Sequence, residues 1–260
     1  IVIKDFQLKN SLDQETVDSI INAWSLDENK VFHLKSNISS DQVRSFYENV
    51  GKKIGKLHYL AEDVSLGDRD SQRTNKIWME VRYDSKIPDA YRHTSNPQPL
   101  HTDGSYTKNY PNSTLMCCVA NSDVGGETTF LKTEELVKIL ETKDKKLLEF
   151  LLTKEILHER SGDSTNRKII EMKDNHYKIN FNYHCVSKKN PQSTLDHVDQ
   201  FFKFMNTSKD VKKKTKTVKL NVGDAVFWKD SEILHGRNGF VPVKDSDRFI
   251  WKCAIGILEK

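Results

Sequence analysis

The chain has 260 residues, 36% of them hydrophobic and 30% charged, with a formal net charge of +4 at pH 7. Those totals suit one soluble, Lys-rich globular domain with a substantial core. So small a net charge marks no nucleic-acid partner, and no apolar run is long enough to cross a bilayer.

Taken in order, residues 1–8 read as an edge strand. Residues 10–24 read as a helix capped by Ser11, with Val17, Ile20, Ile21 and Trp24 on one face. Residues 31–35 form a short strand, and Ser39, Ser40 and Asp41 open a second helix with Val43, Phe46, Val50 and Ile54 at helical spacing. Residues 61–75, rich in Asp, Ser and Gly, have no period and read as a mobile loop. Residues 76–84 alternate as a strand, with Ile77, Met79, Val81 and Tyr83 on one face and Trp78, Glu80 and Arg82 on the other. Residues 84–99, with Pro88, Pro97 and Pro99, have the length and composition of a substrate loop.

Residues 114–121 are an apolar strand, 121–126 a turn, and 127–131 a strand with Thr128 and Phe130 on one face. A helical insert covers about 133–153, starting at Thr133 as a cap. Strands follow at 155–160, 168–172 and 177–183, the last with Asn180 and Asn182 on one side. Residues 193–206 are an amphipathic helix, the basic run 212–219 a solvated connector, and 217–221, 225–228 and a segment from Arg248 are strands. Cys117, Cys118, Cys185 and Cys253 show no Cys-x-x-Cys spacing, which points to reduced thiols rather than zinc. The first residues lack the pattern of a signal peptide, so a cytoplasmic setting is the expectation.

The chemistry concentrates in Gln98-Pro-Leu-His101-Thr-Asp103-Gly-Ser-Tyr106. In a strand, His101 and Asp103 would share a face. A distant His235 would complete two imidazoles and one carboxylate, which leave three positions of an octahedral Fe(II) open. Arg248 follows thirteen residues after His235 at the head of an apolar strand, where its planar fork suits a carboxylate.

His-x-Asp, the distal His and the following Arg resemble the Fe(II)/2-oxoglutarate-dependent dioxygenases. Gly125-Gly126-Glu127-Thr128 and His235-Gly-Arg237-x-x-Phe240 resemble the branch containing taurine dioxygenase, gamma-butyrobetaine hydroxylase and clavaminate synthase, over about residues 78–257. The resemblance implies an α+β, mostly β chain: a double-stranded β-helix (jelly-roll, cupin-like) core at about 76–260, with helices and strands of 1–75 packed on it in one domain. It implies that His101, Asp103 and His235 bind Fe(II), that Arg248 and Thr128 hold 2-oxoglutarate, and that Arg237 orients a ligand from behind. O2 is the other cosubstrate, and C–H hydroxylation with release of succinate and CO2 is the expected reaction.

On the strand that lines the substrate pocket in this branch, Arg82 is a candidate anchor for an anionic substrate, with a surface salt bridge as the alternative. Tyr106 is a candidate pocket residue or a core or rim tyrosine, and Asn182 a reader of a polar substrate group or a plain sheet or turn residue. The retained Asp103 argues against halogenation. Taurine dioxygenase has an Asn four residues before its first ligand; Pro97 stands there here, which speaks against taurine. A small carboxylate-bearing molecule is the expected substrate, with no nucleic acid or membrane partner and homo-oligomerisation left open. The alternatives are a non-catalytic β-helix module binding a small carboxylate, and the same iron site used for desaturation or ring closure.

Overall fold

The computed structural model describes residues 2–9, 12–26, 29–59, 77–88, 90–160 and 162–258. The Ser11 cap, the 61–75 loop and the start of the 76–84 strand lie outside them. The first helix, α1 (Gln14–Ser25), is capped instead by Asp13, whose side chain accepts from Thr16 N. The second, α2 (Val43–Ile54), buries Val43, Tyr47, Val50 and Ile54.

A seven-stranded sheet runs β1 (Val2–Gln7), β2 (Asn29–Lys35), β13 (Ala225–Lys229), β6 (Ser113–Ala120), β15 (Phe249–Ile257) and β3 (Gly55–His58), with β4 (Met79–Arg82) also paired to β15. A four-stranded sheet runs β12 (Lys216–Val218), β7 (Thr128–Lys132), β14 (Ile233–Arg237) and β5 (Gln98–His101). Alternation along the strands sorts their side chains into three cores. Met116, Cys118, Val226, Trp228 and Ile250 of the large sheet meet Phe130, Val218 and Ile233 of the small one between the sheets. Leu115, Cys117, Phe227 and Ile255 face outward against α1 and α2, where Trp24 lies on Phe32 and Phe227. Leu131 and Leu234 face the other way, against α3 (Thr133–Lys143), α4 (Lys145–Thr153), α5 (Gln192–Thr207) and α6 (Lys209–Lys214). Cys117 and Cys118 thus do point to opposite faces, and all four cysteines are free and buried.

The chain departs from the sequence reading in several places. Thr133 is the first helical residue of α3, and its hydroxyl bonds Glu232 O rather than capping. The basic run is partly helical, as α6. The strands β8 (Glu155–Arg160) and β10 (Ile170–Lys173) stand close to the expected ones, but β9 (Asp163–Lys168) is additional and pairs with β8 as a polar hairpin. The sequence of β9 is Asp-Ser-Thr-Asn-Arg-Lys, and with no apolar face it carries no alternation to read. The expected 177–183 strand is shorter, β11 (His176–Ile179), paired with β10 across a turn in which Asp174 and Asn175 have positive φ. No helix among the described residues is long and apolar enough to cross a membrane.

Candidate metal centre

Antiparallel pairing of β5 and β14 sets His235 opposite His101, with the ring centroids 4.2 Å apart. Asp103 lies beyond the end of β5, in a turn rather than within the strand as expected. Bonds from elsewhere fix it there. Asp103 N donates to Asp230 Oδ2 at 2.9 Å, and Thr114 Oγ1 donates to Asp103 Oδ2 at 3.2 Å. The turn continues through Gly104 at φ 56°, where a Cβ would meet the Tyr110 ring at 2.2 Å.

One donor atom from each of His101, Asp103 and His235 lies within 4.8 Å of the other two. Asp103 Oδ1 is 3.9 Å from His101 Nε2, and Oδ2 is 3.7 Å from His235 Nε2. His101 Nδ1–H donates to Pro99 O at 2.9 Å, which leaves the Nε2 lone pair facing the cluster. Burial pushes both imidazoles down to about 3, so at neutral pH they are uncharged donors. Two neutral imidazoles and one carboxylate are a set that fits Fe(II) with positions left open.

Two residues that the sequence reading missed touch this cluster. Lys252 projects inward from β15, with Nζ 2.7 Å from Asp103 Oδ1 and 2.6 Å from Oδ2. Burial raises the Asp103 carboxyl, but the Lys252 ammonium together with the His235 and His101 rings outweighs it and holds the group below the ordinary carboxylate range. The available signal is a lone cation on the inward face of an apolar strand. The other is Asp230, 2% exposed, which accepts from Trp228 Nε1 at 2.9 Å and lies 3.3 Å from His235 Nδ1. Burial, reinforced by the charge of Asp103, pushes its carboxyl up, and the Lys252 ammonium and the Trp228 and Asp103 N–H donors pull it back. In sequence it looks like one more polar turn residue.

A second group of charges lies where β7 meets β14. Thr128 is buried opposite Arg237 in the register. Arg237 and Arg248 are both buried, their guanidinium carbons 5.1 and 5.9 Å from the Phe240 ring centroid. Arg237 Nη2 donates to Thr94 O at 2.8 Å and Asn96 O at 2.5 Å, which ties down the segment leading into β5. Arg248 Nε donates to Gly126 O at 3.3 Å in the Gly125-Gly126 turn, and Lys219 Nζ bonds Ser122 O and Gly125 O. Burial lowers Arg248 to about 10; burial and then Arg248 itself lower Arg237 to about 9. Among the described residues no carboxylate forms an ion pair with either arginine. Two adjacent buried cations, neither in an ion pair among the described residues, fit a carboxylate ligand.

Of the residues suggested as substrate-facing, only Tyr106 lies near the cluster. It lines a cavity of about 180 Å³ with His58, Met79, Asp103, Gly104 and Lys252. Arg82 makes the salt bridge that was its alternative: it pairs with Glu80 at 3.1 Å and lies over Phe249, on the strand face opposite the inward Val81. Asn182 takes a turn role: its side chain accepts from His184 N and caps a 3-10 turn at Tyr183–Cys185.

Gly236, between His235 and Arg237, permits this close strand pairing. A Cβ there would lie 2.6 Å from Gln98 O and 2.9 Å from Thr129 Oγ1. Gly236→Ala is expected to push β14 away from β5, separate the two imidazoles and weaken Co(II) binding at least about tenfold, as ligand misplacement does. A calorimetric Co(II) titration checks this.

Comparison with known proteins agrees with the geometry. The family described as taurine catabolism dioxygenase TauD, TfdA family matches residues 2–254. A uridine-5′-phosphate dioxygenase from Streptomyces sp is 26% identical over 202 residues, 70% of this chain and 71% of that protein. Among solved structures, asparagine oxygenase in complex with Fe(II), 2S,3S-3-hydroxyasparagine and succinate superposes with a TM-score of 0.66 at 11% identity, covering 95% of this chain and 85% of that one. The non-heme iron oxygenase OrfP in complex with Fe and alpha-ketoglutaric acid gives 0.68 at 10% identity, covering 94% and 80%. PvcB from Pseudomonas aeruginosa gives 0.61 at 15% identity, covering 97% and 86%. The chain therefore belongs to the TauD/TfdA family and is an Fe(II)- and 2-oxoglutarate-dependent dioxygenase.

Proposed function

We propose that this dioxygenase oxygenates a C–H bond of a small anionic molecule held beside Lys252. The observation that carries the reading is that Asp103 and Lys252 line one cavity, so a cation stands at the edge of the metal site within reach of any molecule placed there. His101, Asp103 and His235 would hold the iron, and Arg248 with Thr128 would hold the far carboxylate of 2-oxoglutarate. Arg237 supports them by fixing residues 94–96 and by adding positive charge behind Arg248. The two sheets are read as a double-stranded β-helix within a single domain.

When bound, iron and its cosubstrate supply the oxidising chemistry, in which 2-oxoglutarate and O2 yield succinate, CO2 and an oxygenated substrate. The share of the chain is position and shielding. Tyr106 and Met79 wall the cavity, Lys252 orients the anion, and Trp228, 4.6 Å from the His235 ring, closes the apolar floor with Phe130, 5.3 Å from Trp228. The test is succinate release across a panel of small carboxylates, amino acids and phosphomonoesters. Lys252→Met is expected to raise KM for the accepted anion about 30-fold or more, since stripping the partner from a buried charge costs about 2–5 kcal/mol. KM for 2-oxoglutarate should stay near the wild-type value. An unchanged substrate KM would remove Lys252 from the account.

A second reading, a nucleoside 5′-phosphate substrate, is favoured by a neighbouring cavity. That space, about 320 Å³, shares Asp103, Gly104 and Tyr110 with the first and is lined by Lys108, Arg167, Lys168, Lys173 and Lys178. It adds the room and positive charge that a nucleotide needs. The related uridine-5′-phosphate dioxygenase makes nucleotides the first phosphomonoesters to include in the panel.

A further inference from the structure

We propose that Asp230 is a positioning residue for the metal centre, one carboxylate that holds two of the three ligand segments at once. The proposal rests on the reading of His101, Asp103 and His235 as metal ligands. Asp230 sits at the turn between β13 and β14, and its oxygens divide their work. Oδ2 accepts the backbone N–H of Asp103 at 2.9 Å. Oδ1 accepts Trp228 Nε1–H at 2.9 Å and stands 3.3 Å from His235 Nδ1.

The bond to Asp103 N spans 127 residues of chain and fixes a turn that no strand ladder fixes, because β5 has already ended at His101. His235 Nδ1 is buried, and among the described residues no hydrogen bond satisfies it. Asp230 Oδ1, 3.3 Å away, is the acceptor beside it. That contact places the proton on Nδ1 and turns Nε2 toward Asp103. Trp228 keeps the carboxylate from swinging away, since its indole is fully buried between the sheets.

All three groups around Asp230 are N–H donors, so a group with two acceptor oxygens is required. Asparagine has nearly the same shape but only one. Whichever way its amide turns, the NH2 end faces a donor, and a buried donor loses its partner.

The test is Co(II) binding to the metal-free protein, followed by calorimetry and by the visible d–d absorption of the bound ion, for wild type and Asp230→Asn. The expected result is a Kd 10- to 100-fold weaker (about the loss typical of groups that orient metal ligands) and an altered d–d spectrum, with cooperative melting retained. A wild-type Kd and spectrum in the variant would overturn the proposal. Loss of cooperative melting would overturn it too, by making Asp230 a residue that holds the fold rather than the ligands. Failure of the wild-type protein itself to bind Co(II) would instead overturn the metal reading on which it rests.

Discussion

Replacing His235 by alanine is expected to abolish iron-dependent turnover while the chain stays folded. The imidazole supplies one of three donors, and its loss leaves His101 and Asp103 alone to hold the ion. Groups that merely orient metal ligands cost about 10–100-fold in affinity when lost, so removing a ligand should exceed that range. The fold should tolerate the change because the large cores lie elsewhere. His235 packs on Trp228 and His101, whereas α1 and α2 rest on the opposite face of the large sheet and α3 to α5 on the outer face of the small one. The cavity left behind should lower Tm by only about 2–4 °C per kcal/mol lost. Metal content after iron loading, read beside a melting curve, checks both halves. Retained iron and turnover would remove His235 from the site.

Arg248→Ala is expected to raise KM for 2-oxoglutarate by about 30- to 1000-fold or more, matching the 2–5 kcal/mol lost when one partner of a buried, hydrogen-bonded charge pair is removed. Arg248→Lys should recover only part of this. Lysine keeps the charge but cannot offer two parallel N–H donors from a rigid plane. Its flexible chain would also have to replace a guanidinium now held by Gly126 O and stacked near Phe240. The effect should fall on cosubstrate rather than metal, because Arg248 makes no contact with His101, Asp103 or His235. Steady-state kinetics in 2-oxoglutarate beside a Co(II) titration separates the two. A 2-oxoglutarate KM near wild type in the alanine variant would place the cosubstrate carboxylate elsewhere.

Much of this arrangement is legible in the sequence because strand alternation is strong where it matters. Thr128 and Phe130 on one face, Cys117 and Cys118 on opposite faces, and a final apolar strand after Arg248 all follow from period two. That His235 also lies on a strand, β14, and that antiparallel register brings it beside His101, is shown by the fold rather than by the sequence. What period two does not show is how the chain behaves where a strand stops. Asp103 lies past the end of β5, and the bond that fixes it comes from Asp230, far away in sequence. Lys252 belongs to the inward face of β15, yet charge in a strand is ordinarily read as solvated, and only the second sheet reveals that this face is covered. Arg82 shows the converse. Its strand alternates as expected, but Glu80 beside it and Phe249 across from it occupy the guanidinium on the outer face. Asn182 falls outside β11 because the chain turns at Asn182 to cap a 3-10 segment, a local hydrogen bond that competes with the sheet.

The most direct measurement is an anaerobic titration of the metal-free protein with Fe(II) and 2-oxoglutarate, followed by visible absorption. A three-ligand site that leaves room for a chelating cosubstrate predicts a weak metal-to-ligand charge-transfer band that saturates at one equivalent of each and is lost in His235→Ala. Iron that binds without such a band, or a protein that takes up no iron, would contradict the account.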